Sequence, residues 1–218
     1  MANLARLKTA LEAPNALTDL VHLYSITQSE HTKNGKASME IGSSRENDLK
    51  AVLSKRIGTD FQAAIDGDVV EDCRLNDTRI SIKHISGRKG SAFKIKWTSD
   101  KVQANKFIDE MVALTSDYFC SILLVYIDSK KKTVDIVCVD EKKVRDAVTE
   151  MGLTAFKRVN AGKNNRGVEF STKMMAKLME TPEFSINMRN VKLDISGDAI
   201  ARRMAMLTLL DSQRSPSS

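Results

Sequence analysis

Two apolar runs near the middle of the chain constrain its fold more than any other feature of the sequence. They read YFCSILLVYID, over residues 118–128, and KKTVDIVCVD, over residues 131–140. Both are rich in the β-branched and aromatic residues that favour strands. We therefore predict that they form a strand pair at the centre of a β-sheet.

The segments around this pair alternate between helical and strand patterns. Apolar residues recur at helical spacing over 2–12, 15–28, 45–58, 99–115, 140–151, 170–180 and 196–210. Strand patterns occupy 68–85, 92–97 and 184–196, and the polar stretch 27–44 reads as a loop. Ser43 or Ser44 is expected to cap the third helix, and Ser99 the fourth. The order predicts an α/β fold in which a central mixed β-sheet is flanked by helices.

Charge gives the first indication of a partner. The 218 residues carry a net charge of +6 and a pI near 9.2, and the excess comes from basic clusters. Lysines and arginines that meet phosphates release counterions, so this balance favours a polyanion, and nucleic acid is the leading candidate. No apolar run approaches the roughly 18 to 20 residues of a membrane span. The sequence therefore predicts a soluble, cytoplasmic protein without a membrane partner.

Several kinds of chemistry lack their sequence patterns. Cys73, Cys120 and Cys138 lie in apolar or strand-like runs without CxxC spacing, so they read as reduced core residues. The three histidines are scattered, which argues against a histidine-rich metal site. Neither common type of glycine-rich phosphate loop is present, so dinucleotide and NTP chemistry are excluded.

The segment DCRLNDTRISIKH, over residues 72–84, joins two short alternating runs through Asn76-Asp77. Period-two alternation puts Ile80 and Ile82 on the buried face and Ser81 with Lys83 on the other. A hairpin that turns at Asn76-Asp77 brings the start of its first strand beside the end of its second. We therefore expect Asp72 to lie close to Lys83, although an ordinary cross-strand ion pair would explain the same two residues.

These residues resemble the active-site pattern of the PD-(D/E)XK nuclease superfamily, which includes most type II restriction endonucleases. In that family, an acidic residue on one strand is followed by an acidic-x-Lys triplet on the next, often with a glutamate on a preceding helix. Asp72 matches the first acid, Lys83 the lysine, and Glu46, within SSRENDLKAVL, the helical glutamate. The resemblance covers roughly residues 43–97 and implies a restriction-endonuclease-like fold.

The pattern departs from the family at two positions. No proline precedes Asp72, and Ser81 occupies the second acidic position of the triplet. Some restriction enzymes of the superfamily also have serine there and take an acid from a helix, so one metal ligand must come from elsewhere. Glu46 is our choice. The other acids considered for this place are Glu71, Asp68 and Asp100.

The resemblance implies Mg²⁺-dependent hydrolysis of DNA. The catalytic residues would be Glu46, Asp72, Ser81 and Lys83, and the metal ligands Glu46, Asp72 and the Ile82 carbonyl, because hard oxygen ligands suit Mg²⁺. Two basic segments add expected DNA contacts, since their side chains can bind phosphates or base edges. The residues concerned are Arg88, Lys89, Lys157, Arg158, Lys163, Asn164, Asn165 and Arg166.

The sequence therefore predicts a type II restriction endonuclease that cuts double-stranded DNA at a short specific site, as a homodimer. We expect one domain over residues 1–218. Its N-terminal helices and polar loop occupy 1–42, its catalytic core 43–140, and its DNA-recognition and dimerisation elements 141–218. Two alternatives stay open at this point: a non-catalytic DNA-binding protein on a nuclease-like fold, and a basic interaction module for an acidic protein partner.

Overall fold

The computed structural model describes residues 2–33, 38–64, 71–128, 131–157 and 167–189, together with positions 201, 204, 205, 207 and 208. The strands are β1 (Phe61–Ala63), β2 (Cys73–Leu75), β3 (Thr78–Ser86), β4 (Lys94–Lys96), β5 (Ser121–Asp128), β6 (Thr133–Val139), β7 (Val168–Glu169) and β8 (Phe184–Met188). The helices are α1 (Ala2–Glu12), α2 (Ala16–Lys33), α3 (Ser38–Ile57), α4 (Lys101–Val112), α5 (Glu141–Met151) and α6 (Thr172–Glu180).

Six strands form one mixed sheet in the order β1-β2-β3-β5-β6-β8. β3 and β5 run parallel, and the other neighbouring pairs are antiparallel. The first six residues of β5 are buried, as its apolar sequence requires of a strand covered on both faces. The predicted α/β fold with a central mixed sheet, and the pairing of the two apolar runs within it, are confirmed.

The two faces of the sheet are covered by different helices. On one face, leucines of α1, α2 and α3 pack against side chains of the hairpin such as Ile80 and Ile82, both fully buried. On the other face, residues of α4, α5 and α6 pack around Leu124, Tyr126 and Val137. This division leaves the hairpin β2–β3 with α3 directly against it, which determines where the functional site can form.

The hairpin forms as its pattern predicts. Leu75 pairs with Thr78 and Cys73 with Ile80, so the turn consists of Asn76 and Asp77. Asn76 takes a φ of 49°, a left-handed conformation that asparagine tolerates better than most residues. The predicted burial of the three cysteines is also confirmed, since all three are buried and none forms a disulfide.

The prediction of a polar loop over 27–44 is wrong for most of its length. α2 continues to Lys33 and α3 begins at Ser38, so the two serines predicted to cap α3 lie inside it. The two helices pack against each other, and the buried Thr27 hydroxyl donates to the Asp48 carboxylate at 2.5 Å. Tertiary packing here overrides a weak local propensity. Residues 34–37 lie outside the described part of the chain.

The start of α4 also differs from the prediction. Asp100, rather than Ser99, is the N-cap, and its carboxylate accepts from the backbone N–H of Gln103 at 2.9 Å. The Ser99 hydroxyl donates instead to the Asp100 carboxylate at 2.8 Å. Aspartate is as good a cap as serine, so the cap lies one residue later than predicted.

The predicted strand over 92–97 forms as β4 but does not join the main sheet. It pairs with β7 in a separate two-stranded sheet, with an irregularity between Lys94 and Lys96.

The helices predicted over 140–151 and 170–180 are present as α5 and α6. Most of the helix predicted over 196–210 and the end of the strand predicted over 184–196 lie outside the described residues. No described helix has both the length and the apolar character that crossing a membrane requires.

Candidate active site

Asp72 is held in place by the strand that follows the hairpin turn. Its backbone N–H donates to the Ile80 carbonyl at 2.9 Å, which continues the β2–β3 ladder by one residue. Its Oδ2 atom accepts from the Ser81 hydroxyl at 3.0 Å, from the Ile82 backbone N–H at 2.6 Å and from Lys83 Nζ at 3.5 Å. Three donors therefore converge on one carboxylate oxygen and fix the orientation of this side chain.

Glu46 faces the same place from α3. With Asp72 and Lys83 it lines a cleft of about 540 Å³, which we call the active-site cleft. The other residues that line this cleft are Gly42, Ser43, His84, Ile85, Ser86, Ala92, Phe93, Lys94, Ile95 and Trp97. The three residues that matched the family pattern are thus brought together in one cavity.

The pKa of Glu46 reflects both its burial and the neighbouring charge of Asp72. Burial, followed by the negative charge of Asp72, raises the pKa of Glu46 to about 7, while Lys83 and Lys50 act in the opposite direction. Two carboxylates in a partly desolvated site repel each other when both are ionised. A cation between them would remove this repulsion, so the donor set fits a divalent metal ion.

Lys83 stays protonated at neutral pH. Burial by itself would lower the pKa of Lys83, but the neighbouring Tyr118, Asp72 and Glu46 raise it above its ordinary value. Its side chain is 22% exposed, at the wall of the cleft. A protonated ammonium in this position can orient a water molecule and compensate negative charge on a phosphate, but it cannot act as a base in this state.

Ser81 helps to orient Asp72 through its hydroxyl group. It is only 2% exposed, and it donates to Asp72 rather than lying on the cleft surface. Ser81 therefore stands where the resemblance implies an acid, and its hydroxyl orients Asp72. Ile82 engages Asp72 through its backbone N–H while its side chain is buried in the core.

Of the three alternative acids, two are described by the structure and neither lines the active-site cleft. Glu71 is buried, and its Oε1 atom accepts from Arg74 Nε at 2.9 Å. Asp100 is exposed and caps α4, and the hydrogen bond from the Gln103 backbone lowers the pKa of its carboxyl. Asp68 lies outside the described residues. Glu46 therefore has the best position among the candidates that can be compared.

The predicted DNA contacts are only partly within the described chain. Arg88 and Lys89 are exposed on a loop that leaves the cleft wall at Ser86 and returns to it at Ala92. Lys89 Nζ donates to the Ser185 hydroxyl at 2.8 Å. Lys157 lies 2.5 Å from a carboxylate oxygen of Glu169. The remaining residues predicted to contact DNA lie outside the described part of the chain: Arg158, Lys163, Asn164, Asn165 and Arg166.

Sequence reasoning missed part of the cleft wall. His84 lies next to Lys83 and shares a hydrogen bond of 2.6 Å between its Nε2 atom and the Tyr24 hydroxyl. Burial, followed by the charges of Arg45 and two lysines, lowers the pKa of His84 well below its ordinary value, so it is neutral at pH 7. Lys94 of β4 and Trp97, which directly follows this strand, also line the cleft. Their only sequence signal was the alternation in AFKIKW.

The described residues contain no cluster of three or more histidine, cysteine, aspartate or glutamate side chains with metal-binding geometry. The cleft offers two carboxylates, from Glu46 and Asp72. An ion held by these would take its remaining ligands from backbone carbonyls, water and the phosphate of a substrate, which is a common arrangement for Mg²⁺.

Comparison with known proteins identifies the family. The chain resembles a solved structure described as a restriction endonuclease in complex with substrate DNA, with a TM-score of 0.71 and 24% sequence identity. The match covers 87% of this chain and 90% of that one, and it supports the fold. No curated protein sequence matches the chain. The family model for restriction endonuclease ThaI matches residues 13–208, so the chain belongs to the ThaI restriction endonuclease family, whose members cleave DNA at specific sites.

Proposed function

We propose that this restriction endonuclease hydrolyses phosphodiester bonds of double-stranded DNA in the active-site cleft, with Mg²⁺ as its cofactor. The observation that carries the proposal is the convergence of Glu46, Asp72 and Lys83 on one cavity, with Asp72 fixed by three donors. A restriction endonuclease of the same fold has been solved with substrate DNA, which supports DNA as the partner.

Each residue of the cleft then has a defined task. Asp72 and Glu46 would hold the metal ion through carboxylate oxygens, and the Ile82 carbonyl would add a ligand. A bound Mg²⁺ supplies Lewis-acid stabilisation of the charge that develops on the phosphate. Lys83 orients the attacking water through its ammonium protons and compensates charge on the same phosphate. Ser81 keeps Asp72 in the orientation that its hydrogen bond defines.

Metal dependence is tested most directly with long DNA. We expect purified protein to cut phage DNA into discrete fragments in Mg²⁺, and to leave it intact in EDTA until Mg²⁺ is restored. The expectation follows from the carboxylate pair, which cannot approach a phosphodiester without a compensating cation. Agarose electrophoresis measures the result. Fragments formed in EDTA would contradict the metal requirement, and a smear without discrete bands would contradict cleavage at a specific site.

DNA contacts outside the cleft remain part of the proposal. The loop with Arg88 and Lys89 begins and ends at the cleft wall, which supports a role in gripping the phosphates of a bound duplex. The second basic segment begins at Lys157 and ends at Gly167, beside β4 of the cleft wall. This position supports base reading by residues 158–166, whose asparagines and arginines carry the donors that recognise adenine and guanine edges.

We also propose that the enzyme acts as a homodimer in the cytoplasm. The three cysteines are buried and form no disulfide, which fits a reducing compartment. The described part of the chain brings Asp72 and Lys83 together in one candidate active site, whereas cutting both strands of a duplex calls for two active sites. A two-fold axis between two chains supplies the second site at a palindromic sequence. We expect sedimentation of the protein on a short palindromic duplex in Ca²⁺ to give two chains per duplex. A stoichiometry of one chain per duplex would contradict the dimer.

A further inference from the structure

The single tryptophan of the chain is half-exposed at the active-site cleft. Trp97 is 52% exposed although it is the largest apolar side chain, and it lines the same cavity as Glu46, Asp72 and Lys83. Lys94 Nζ lies 3.6 Å from the centroid of its ring. Because Trp97 lies in the lining of a cleft rather than alone on the outer surface, a ligand that enters the cleft can cover its ring.

The Lys94 side chain packs against Trp97 at its ammonium group and lies beside Gly167 along its methylene stem. Its ammonium rests on the Trp97 ring, as a cation–π contact requires. Its methylene stem passes beside Gly167, where a Cβ atom would lie 3.1 Å from Lys94 Cδ and 2.9 Å from the Lys96 carbonyl oxygen. Gly167 has a φ of 131°, so the backbone approaches the lysine stem at a position where a side chain would be strained.

Two lysines, Lys83 and Lys94, line the same cleft of about 540 Å³. A DNA strand that presents its scissile phosphate to Lys83 carries further phosphates along the same strand, so a second cation in the same cleft can meet one of them.

We infer that Lys94 binds a DNA phosphate next to the scissile one, and that Trp97 is the positioning residue that holds the Lys94 ammonium at the mouth of the cleft and is covered by the bound DNA. This inference rests on the proposal that DNA is cleaved in this cleft. It adds to that proposal a substrate-binding cation and an aromatic support that are independent of the Glu46, Asp72 and Lys83 chemistry.

Trp97 itself reports on the inference, because the protein contains no other tryptophan. We expect saturating duplex DNA in Ca²⁺ to shift the tryptophan emission to shorter wavelength and to change its intensity as water leaves the indole. Anisotropy of labelled DNA confirms saturation in the same sample. Emission that is unchanged at saturation overturns the inference. Emission that responds to protein concentration without DNA also overturns it, because a second copy of the chain then covers the ring.

Salt dependence tests the phosphate contact of Lys94. We expect Lys94→Ala to reduce the slope of log affinity against log salt by about one, the value for one lost phosphate contact. Lys94→Arg should retain the slope. Lys96→Ala is the matched control: Lys96 lies on the same strand and its ammonium also lies over an aromatic ring, that of Phe107 at 4.8 Å, but it does not line the cleft. An equal loss of slope in Lys94→Ala and Lys96→Ala would overturn the assignment.

A double variant separates positioning from direct contact. We expect Trp97→Leu to weaken DNA binding by about two- to fivefold, the range of an exposed cation–π contact, and Trp97→Phe to weaken it less. Because Trp97 positions Lys94, Trp97→Leu combined with Lys94→Ala should lose less affinity than the sum of the two single losses. Fully additive losses would overturn the positioning role. Circular dichroism and thermal melting of each variant show whether it has folded.

The outcomes also separate this inference from the proposed active site. If Asp72→Asn abolishes cleavage but the Trp97 emission does not change when DNA binds, the inference is wrong and the proposed active site is supported. If the emission and the Lys94 salt slope respond as expected while Asp72→Asn still cleaves, the cleft binds DNA but the assignment of its acids is wrong.

Discussion

Asp72→Asn and Lys83→Ala each lower the single-turnover rate of DNA cleavage by about 100- to 10,000-fold, the range seen when a positioned acid, base or charge-stabilising group is removed. Asparagine has nearly the shape of aspartate but lacks the charge that a metal ion requires. Alanine at position 83 removes the ammonium that lies 3.5 Å from Asp72 Oδ2. Quenched-flow or gel assays at saturating enzyme and Mg²⁺ measure the rate.

A second ion pair provides the matched control for these variants. Lys142 and Asp146 lie 2.7 Å apart on α5, are exposed, and do not line the active-site cleft. Lys142→Ala and Asp146→Asn make the same chemical changes as the active-site variants, and both should cleave at the rate of the unmodified protein. If Asp72→Asn also cleaves at nearly that rate, Asp72 is not a metal ligand. A normal thermal melt for each variant excludes unfolding as the cause of a loss.

The half of the site that lies on the hairpin could be predicted because its geometry is local. Alternation with period two fixes which side chains share a face, and a turn at Asn76-Asp77 fixes which residues lie opposite one another. Together these rules placed Asp72 beside Lys83 without knowledge of the rest of the fold. The same locality explains the correct prediction of the buried pair β5 and β6, whose apolar content leaves them no other place than the sheet centre.

The half of the site that depends on packing was harder to predict from the sequence. Glu46 reaches Asp72 only because α3 docks against β3, and sequence could supply it only through the resemblance. The extent of α3 was underestimated, since its first turns are polar and are stabilised by packing with α2. The local propensity of such a polar stretch favours a loop, whereas packing between α2 and α3 favours the helix.

Lys94 and Trp97 could not be placed at the cleft from their own segment. AFKIKW predicts a strand, but residues 97–167 separate it from its partner β7, and the two form a sheet of their own. The close approach of Gly167 to Lys94 is a property of that pairing. Non-local pairings of short strands leave little trace in local composition, so this wall of the cleft became visible only in the fold.

Glu46→Gln lowers the cleavage rate on the order of 100-fold or more, as expected for removal of a charge that stabilises the reacting site. The pKa of Glu46 is about 7, so the metal-free carboxyl is largely protonated below pH 7 and ionised above it. A metal ion must displace that proton, so the apparent affinity for Ca²⁺ should rise with pH up to about pH 7 and then level off. Glu46→Gln should bind weakly at every pH in this range. Calorimetric titrations at about pH 6, 7 and 8 measure this dependence.

Stability gives an independent check of the same carboxyl. Its pKa is raised from 4.5 in the unfolded chain to about 7 in the folded one, so the folded state binds the proton more tightly. Its contribution to stability is therefore complete below pH 4.5 and is lost as the pH rises through about 7. In metal-free buffer above this window, Glu46→Gln should be more stable than the unmodified protein, since glutamine stays neutral. Metal ions should reverse the order, because they stabilise only the protein that binds them. Thermal melts at about pH 5 and pH 8, with and without Ca²⁺, distinguish a charged metal ligand from a structural glutamate. A variant that is less stable than the unmodified protein at the higher pH without metal would contradict the raised pKa.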